Sequence, residues 1–316
     1  MTRAVVFAYH DVGVRCLRVL LQQGVTVPLV VTHTDAADEH IWFESVARHA
    51  HWHGLEVATP ADANAPEFVQ RVRSLQPDFL FSFYYRQMLG ANLLATAARG
   101  AFNMHGSLLP KYRGRVPVNW AVLHGEQETG ATLHAMTVQA DAGDIVDAQA
   151  VPILGDDTAI EVFRKVSVAA ELTLARALPA LLAGTARLRR QDLSKGSYFG
   201  RRTRADGAIN WALGVTAVHN LVRAVAPPYP GAYARAAGLA LRVLRSLPAE
   251  GPKAAQAELR VVDGEVLAVC RDGALRLLEF ELDGQVRDAQ GFQARFGARA
   301  LPLADGQRDL QEAVGN

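Results

Sequence analysis

The chain has 316 residues, half of them hydrophobic, with 21% charged residues and a formal net charge of +1. That length and apolar content suit about two domains with a sizeable core, and they argue against a disordered chain or, on overall charge, a nucleic-acid binder. Two cysteines far apart, Cys16 and Cys270, with no CxxC, argue against a disulfide framework or a structural zinc site of the usual kind.

The opening "MTRAVVFAYHDVG" carries an apolar run too short for a signal peptide, and no run approaches the roughly 20 apolar residues of a membrane helix. The expectation is a cytoplasmic protein without a membrane segment. "AVVFAY" (4–9) reads as a fully buried strand, followed by the helical spacing of "VRCLRVLLQQG" with its glycine stop. "VPLVVTH" (27–33) is a second strand. "HIWFESVARHAHWHG" (40–54) reads as a helix, "LEVAT" (55–59) as a strand and "PEFVQRVRSLQP" (66–77) as a helix with proline at its start. "DFLFSF" (78–83) is a strand, "QMLGANLLATAARG" (87–100) a helix and "AFNMH" (101–105) a strand. Such strands, alternating with helices and lacking a polar face, predict an open, mostly parallel Rossmann-like α/β sheet covered on both sides. A helix (116–125), a strand pair (130–138 and 143–153) around "QADAGD" and a long amphipathic helix (159–184) follow.

The pattern changes near residue 190. "LSKGSYFGRRTRADG" (193–207) reads as a polar linker, then come a short helix (215–225), the turn "APPYPG" and several short strands with turn signals. Their spacing predicts a small β-rich, barrel-like or sandwich domain. The division expected is therefore 1–192 and 193–316.

Ligands of open α/β sheets bind outside the carboxyl ends of the strands. Asn103 and His105 stand at such an end, two apart, so both side chains point to the same face. An amide can donate to a developing oxyanion, and an imidazole can carry a proton near neutral pH. A third group is needed to orient the ring, and Asp141, in the turn of the strand pair, is the candidate. An Asn-x-His at a strand end is more often a capped strand than a catalytic pair, so the surrounding phrase decides.

That phrase, "FNMHGSLLPKYRGRVPVNWAVLHGEQETGATLHAMTVQADAGDIV", resembles the signature of the formyltransferases that use 10-formyltetrahydrofolate. "VVFAYHD", "VTHTD", "FSFYYR" and "FGRRT" extend the resemblance over most of the chain. In that family an Asn-x-His and a later Asp form the catalytic trio, which here falls on Asn103, His105 and Asp141. The resemblance implies a folate site along Gln87, Met88 and Leu89, at Arg115, and in the loop Thr137, Val138, Gln139 and Ala140. Without it, Met88 and Leu89 read as ordinary helix-start hydrophobes. "HGSLLPKYRGR" with "NW" points to the branch that formylates UDP-4-amino-4-deoxy-L-arabinose, a step of lipid A modification and polymyxin resistance. The methionyl-tRNA formyltransferases resemble "HASLLPRWRGAAP" more. In the familiar bifunctional enzyme a decarboxylating dehydrogenase domain follows, so the chain reads as a stand-alone transferase with a separate decarboxylase protein as a possible partner.

Three features remain. From 185 to 246 there are eleven Lys or Arg and two Asp, an excess hidden by the overall charge. It suits the diphosphate of a nucleotide sugar or, alternatively, tRNA, or is a solvated surface. Within "FGRRT", Arg201 and Arg202 are the candidates for the diphosphate. His49 and His53 are four apart on a helix, but with no third ligand the expectation is an exposed helix end and no metal. No GxGxxG occurs, so NAD is not expected. Alternatives are a methionyl-tRNA formyltransferase, a formyltransferase for a dTDP- or GDP-linked amino sugar, and an inactive folate- or nucleotide-binding regulator.

Overall fold

The computed structural model describes residues 1–35 and 40–306. In chain order its elements are β1 (Arg3–Ala8), α1 (His10–Gln22), β2 (Thr26–Val31), α2 (Val46–Trp52), β3 (Val57–Ala58), α3 (Pro66–Ser74), β4 (Phe79–Phe83), α4 (Ala91–Leu94), β5 (Ala101–His105), β6 (Arg113–Gly114), α5 (Pro117–Leu123), β7 (Glu128–Ala135) and β8 (Ile145–Pro152). There follow α6 (Ala159–Ala183), β9 (Tyr198–Phe199), α7 (Val215–Val225), β10 (Ala232–Ala236), β11 (Leu239–Ala249), β12 (Glu258–Val262), β13 (Glu265–Val269), β14 (Ala274–Leu282), α8 (Ala289–Phe296) and β15 (Leu301–Ala304). The residues cluster into two compact units. One is Met1–Pro117, Glu128–Pro152 and Phe163–Gly200; the other is Val118–Gln127, Ile153–Val162 and the chain from Arg201 onward.

In the first unit, seven strands among the described residues form one sheet in the order β3-β2-β1-β4-β5-β7-β8. β1 to β5 are parallel; β7 runs antiparallel to β5, and β8 antiparallel to β7. Successive β1 residues point to opposite faces. Val5 and Phe7 join Leu29, Phe68, Val72, Leu80 and Leu93 in one buried cluster, while Ala4, Val6 and Ala8 are equally buried. Both faces are covered, as all-apolar parallel strands require. α6 is long and apolar enough by length and composition to cross a membrane, which the sequence reading had not anticipated. Its stripe Val166, Ala169, Ala170, Thr173, Leu174 and Leu178 is buried in the protein interior.

Two expected helices are shorter than their patterns. Helix α2 starts at Val46 because Ser45 Oγ caps it, accepting the Arg48 N–H. Ahead of it, Trp42 and Phe43 pack their rings on His10, at centroid distances of 4.5 and 4.0 Å, instead of continuing the helix. Residues 87–90 are likewise drawn out of α4, by the Asn64 side chain of the loop after β3 and by the bonds of the Gln87 amide to that loop's backbone, described below. His49, expected on an exposed helix end, is buried, with its ring 4.9 Å from that of His53. Among the described residues no group of three His, Cys, Asp or Glu stands together as a metal site.

In the second unit, six strands close an antiparallel barrel, β10-β11-β14-β13-β12-β15. Its core gathers Leu241, Leu259, Ala268, Leu275, Phe280 and Phe292 with Val218 and Val222 of α7. Arg223 of α7 is buried. It donates from Nη1 to the carbonyls of Leu154 (3.1 Å) and Asp157 (2.9 Å), and from Nη2 to Asn220 Oδ1 (2.6 Å). One of the eleven cations of the basic segment is therefore a structural clamp on the 154–157 loop. Arg223→Met leaves those carbonyls without their donor, at about 1–3 kcal/mol for a buried group so stranded. The expected result is a lower Tm by circular dichroism; an unchanged Tm would mean that the loop carbonyls find other donors.

Candidate active site

β5 lies between β4, parallel on one side, and β7, antiparallel on the other, with Asn103 opposite His134 and His105 opposite Thr132. The chain then doubles back. Ser107 Oγ donates to the Lys111 carbonyl (2.6 Å), and Thr132 Oγ1 donates to the Ser107 carbonyl (2.7 Å). This turn brings the Tyr112 carbonyl to 2.8 Å from His105 Nε2. A carbonyl can only accept, so Nε2 carries a hydrogen. The other ring nitrogen, Nδ1, is 3.4 Å from Asp141 Oδ1. His105 is 6% exposed, and both its nitrogens face acceptors.

Asp141 comes from the loop between β7 and β8 and holds a left-handed backbone, φ 52°. The Gln191 amide fixes this loop by donating to the carbonyls of Asp141 (3.0 Å) and Gly143 (2.6 Å). Asp141 Oδ2 accepts the Gly114 N–H at 2.9 Å. Oδ1 faces His105 Nδ1, Asn103 Nδ2 at 3.4 Å and His134 Nε2 at 3.5 Å. Burial alone would push this carboxyl up. The charge of His105 and the Gly114 N–H oppose it, and Asp141 is held well below the usual carboxylate range. The cluster thus joins a persistent anion, an imidazole held between two acceptors, and an amide at the same point.

The other residues singled out from the sequence fare differently. Gln87 spends both ends of its amide on the protein, donating to the Ala61 carbonyl (2.9 Å) and accepting the Ala63 N–H (2.9 Å). Asn64 adds a bond to the Met88 carbonyl (2.9 Å) and accepts the Gly90 N–H (2.6 Å). This stretch follows the carboxyl end of β4, the parallel neighbour of β5. Met88 and Leu89 are not at a helix start: Met88 is 53% exposed and Leu89 is 2% exposed. Arg115 is exposed, and its N–H bonds the Phe199 carbonyl (2.9 Å). Thr137, Val138 and Gln139 form the exposed part of the Asp141 loop, with Ala140 half-buried, and Thr137 Oγ1 donates to the Gln139 carbonyl (2.9 Å). Arg201 is exposed. Arg202 lies over the Trp120 ring at 4.8 Å and donates to the Asp206 carbonyl (2.7 Å), and burial lowers its pKa.

Sequence reasoning missed His134, Gln191 and the Gly114 N–H. The one signal for His134 is a histidine inside the apolar strand "GATLHAMTV"; Gln191 and a backbone N–H carry none. The structure also gives a physical meaning to "HGSLLP". A Cβ at Gly106 would overlap the Tyr84 hydroxyl and stand 3.0 Å from its Cζ. Gly106→Ala is expected to cost about 1–3 kcal/mol, as overpacking does. Adding Tyr84→Phe, which removes the obstructing oxygen, should recover most of it. A double variant no more stable than the single one in thermal unfolding would show that the hydroxyl is not the obstacle.

A parallel-dominated α/β sheet carrying an Asn–His–Asp cluster, followed by an antiparallel barrel, defines a two-part enzyme scaffold. The formyl transferase family profile matches residues 15–178, and the profile of the formyl transferase C-terminal domain matches residues 202–296. The chain belongs to the formyl transferase family. Among solved structures it is similar to an N-formyltransferase from Helicobacter canadensis, solved with folinic acid and dTDP-3-aminofucose. The two are 20% identical over 88% of this chain and 99% of that one, with a TM-score of 0.71. A sugar N-formyltransferase from a Shewanella species is 20% identical over 74% of this chain and 92% of that one, with a TM-score of 0.60. HypX from Aquifex aeolicus, solved with tetrahydrofolic acid, is 17% identical over 93% of this chain and 47% of that one, with a TM-score of 0.62. At these identities the likeness speaks for the fold.

Proposed function

We propose that the protein transfers a formyl group from 10-formyltetrahydrofolate to the amine of a nucleotide-linked amino sugar, and that the acceptor is UDP-4-amino-4-deoxy-L-arabinose. The observation that carries the reaction is the Asp141 carboxylate set between His105 and Asn103. The amine attacks the formyl carbon, forming the new C–N bond and a tetrahedral oxyanion. Asn103 donates to that oxyanion. His105, oriented and charge-stabilised by Asp141, passes the proton of the attacking nitrogen to the folate nitrogen as the old C–N bond breaks. For that step the Nε2 hydrogen turns from the Tyr112 carbonyl to the folate nitrogen and is given up to it, and Nε2 takes the proton of the attacking nitrogen in its place. Holding amine and formyl group together supplies much of the remaining acceleration.

The folate is assigned to Gln87, Met88, Leu89, Arg115 and residues 137–140. The exposed Met88 and the exposed Arg115 suit its apolar ring and its carboxylates, while Gln87 shapes the stretch through its backbone contacts. Arg201 is the stronger candidate for the diphosphate, since the Arg202 cation already rests on Trp120. An amino-sugar acceptor is supported by the "HGSLLPKYRGR" and "FGRRT" phrases and by the dTDP-3-aminofucose held by the Helicobacter structure. We assign the catalytic part to residues 1–192 and the barrel part to 193–316, of which 307–316 lie outside the described residues; we assign the protein to the cytoplasm, with a separate decarboxylase as the upstream partner.

The test follows tetrahydrofolate release from 10-formyltetrahydrofolate with UDP-4-amino-4-deoxy-L-arabinose, other nucleotide amino sugars, or methionyl-tRNA. Turnover with the UDP sugar alone supports the full reading. Turnover with a dTDP or GDP sugar moves the acceptor, and turnover with tRNA overturns the sugar assignment. Folate binding without turnover on any acceptor would make the protein a binding regulator.

A further inference from the structure

His134 is not part of the trio, yet it meets two of its members. It is 2% exposed, near the carboxyl end of β7, directly across from Asn103. Its Nδ1 stands 2.8 Å from the Ala135 carbonyl. A carbonyl can only accept, so Nδ1 carries a hydrogen, and in the neutral ring Nε2 is then a bare acceptor. That nitrogen is 3.1 Å from Asn103 Nδ2 and 3.5 Å from Asp141 Oδ1. It can accept from the amide or, if protonated, donate to the carboxylate, but not both. The shorter contact is the one to Asn103.

We propose that His134 is a positioning residue for formyl transfer, whose Nε2 accepts one amide hydrogen of Asn103 and leaves the other for the oxyanion. The inference rests on the reading that Asn103 serves the formyl carbon. With Nε2 bare and Asp141 ionised, both neighbours of the Asn103 amide are acceptors. Turning the amide over would set its oxygen against a lone pair and an anion. One hydrogen is thereby tied to His134 at 3.1 Å. The other spans a long 3.4 Å to Asp141 Oδ1 and is the one a developing oxyanion can draw away. An apolar side chain at 134 would fill the strand equally well but leave the amide free to rotate.

The experiment compares wild type, His134→Leu and His134→Gln in steady-state formyl transfer, with folding checked by circular dichroism. The Gln amide oxygen can accept the same hydrogen. Loss of a whole oxyanion donor costs about 10²–10³-fold in kcat. Loss of its orientation is expected to cost His134→Leu about 10–100-fold in kcat with KM values within about threefold, and His134→Gln should recover most of it. Two-bond ¹H–¹⁵N spectra of the histidine rings should show the Nδ1–H tautomer at His134, a readout independent of turnover. A proton on Nε2 overturns the inference, as does a folded His134→Leu variant as fast as a working wild type. A wild type inert toward every acceptor overturns the transfer reading and this inference with it.

Discussion

Asp141→Asn is expected to slow formyl transfer by about 10³–10⁴-fold while leaving folate binding nearly intact, the size of effect seen when the acid behind a catalytic imidazole becomes an amide. The carboxylate has two acceptor oxygens, and they are divided: Oδ2 takes the Gly114 N–H, while Oδ1 faces His105 and Asn103. Asparagine has one. If its oxygen keeps Gly114, its NH₂ points at His105 Nδ1 and at the Asn103 amide, donor against donor. The ring can then answer only with a bare Nδ1, keeping its hydrogen on Nε2 toward the Tyr112 carbonyl, and the positive charge that stabilises the oxyanion is lost. Single-turnover release of tetrahydrofolate measures the loss. A variant within tenfold of wild type would remove Asp141 from the mechanism.

The same carboxylate makes stability depend on acid. Its folded-state pKa lies below the unfolded value of about 4. A depressed carboxylate contributes stability that is fully present above the unfolded pKa and is lost as pH falls toward the folded one. Thermal unfolding of the wild type should therefore weaken more steeply below about pH 4 than that of Asp141→Asn. Parallel pH curves would mean that the carboxylate is not preferentially ionised in the fold.

What was legible in the sequence is what local pattern encodes. The runs "AVVFAY", "VPLVV" and "DFLFSF" lack a polar face because both faces of β1, β2 and β4 are covered, and that fixes a parallel sheet. Asn103 and His105 were readable because a two-residue spacing aims both side chains one way. His134 was not, because its place beside Asn103 depends on β7 returning antiparallel next to β5, a long-range pairing with no local mark. The spacing of the short strands allowed a barrel or a sandwich, and only the pairing that closes the barrel was hidden for the same reason. β10, "AYARA", carries no β-branched residue; it is a strand because its alternate alanines turn inward and because β15 pairs with it from far along the chain. The helical periods of 40–54 and 87–100 were real but were overruled by tertiary contacts, ring packing on His10 in one case and the Gln87 and Asn64 amides in the other. Propensity is a weak prior that such contacts override.

The phrase "KYRGR" is a mark of the family resemblance, and Gly114→Ala should show why. Gly114 holds φ 98°, in the left-handed region that costs other residues about 1–2 kcal/mol. A Cβ there would overlap the Phe199 carbonyl oxygen, the acceptor of the Arg115 N–H across the β6–β9 pair. Backbone cannot swing aside as a side-chain tip can, so an overpacking cost of about 1–3 kcal/mol adds to the first. Relief requires β6 to move off β9, which carries the Gly114 N–H away from Asp141 and strains the stack of Tyr112 on Phe199 at 5.3 Å. Tyr112 also holds His105 Nε2, so both nitrogens of the imidazole would lose their register. A displacement of about 1 Å in a catalytic group can cost about 10²-fold, and that is the loss expected in kcat, together with a lower Tm. Arg113→Ala is the control, because the β6–β9 pairing and the Asp141 contact both use backbone at this point, and it should keep most of the rate. If Gly114→Ala were as fast and as stable as wild type, the "RG" phrase would be something other than the brace between β9 and the Asp141 carboxylate. If the rate and the Tm fall together, "FGRRT" also changes meaning: its first two residues would serve the brace, leaving Arg201 as the part of the motif free to meet a diphosphate.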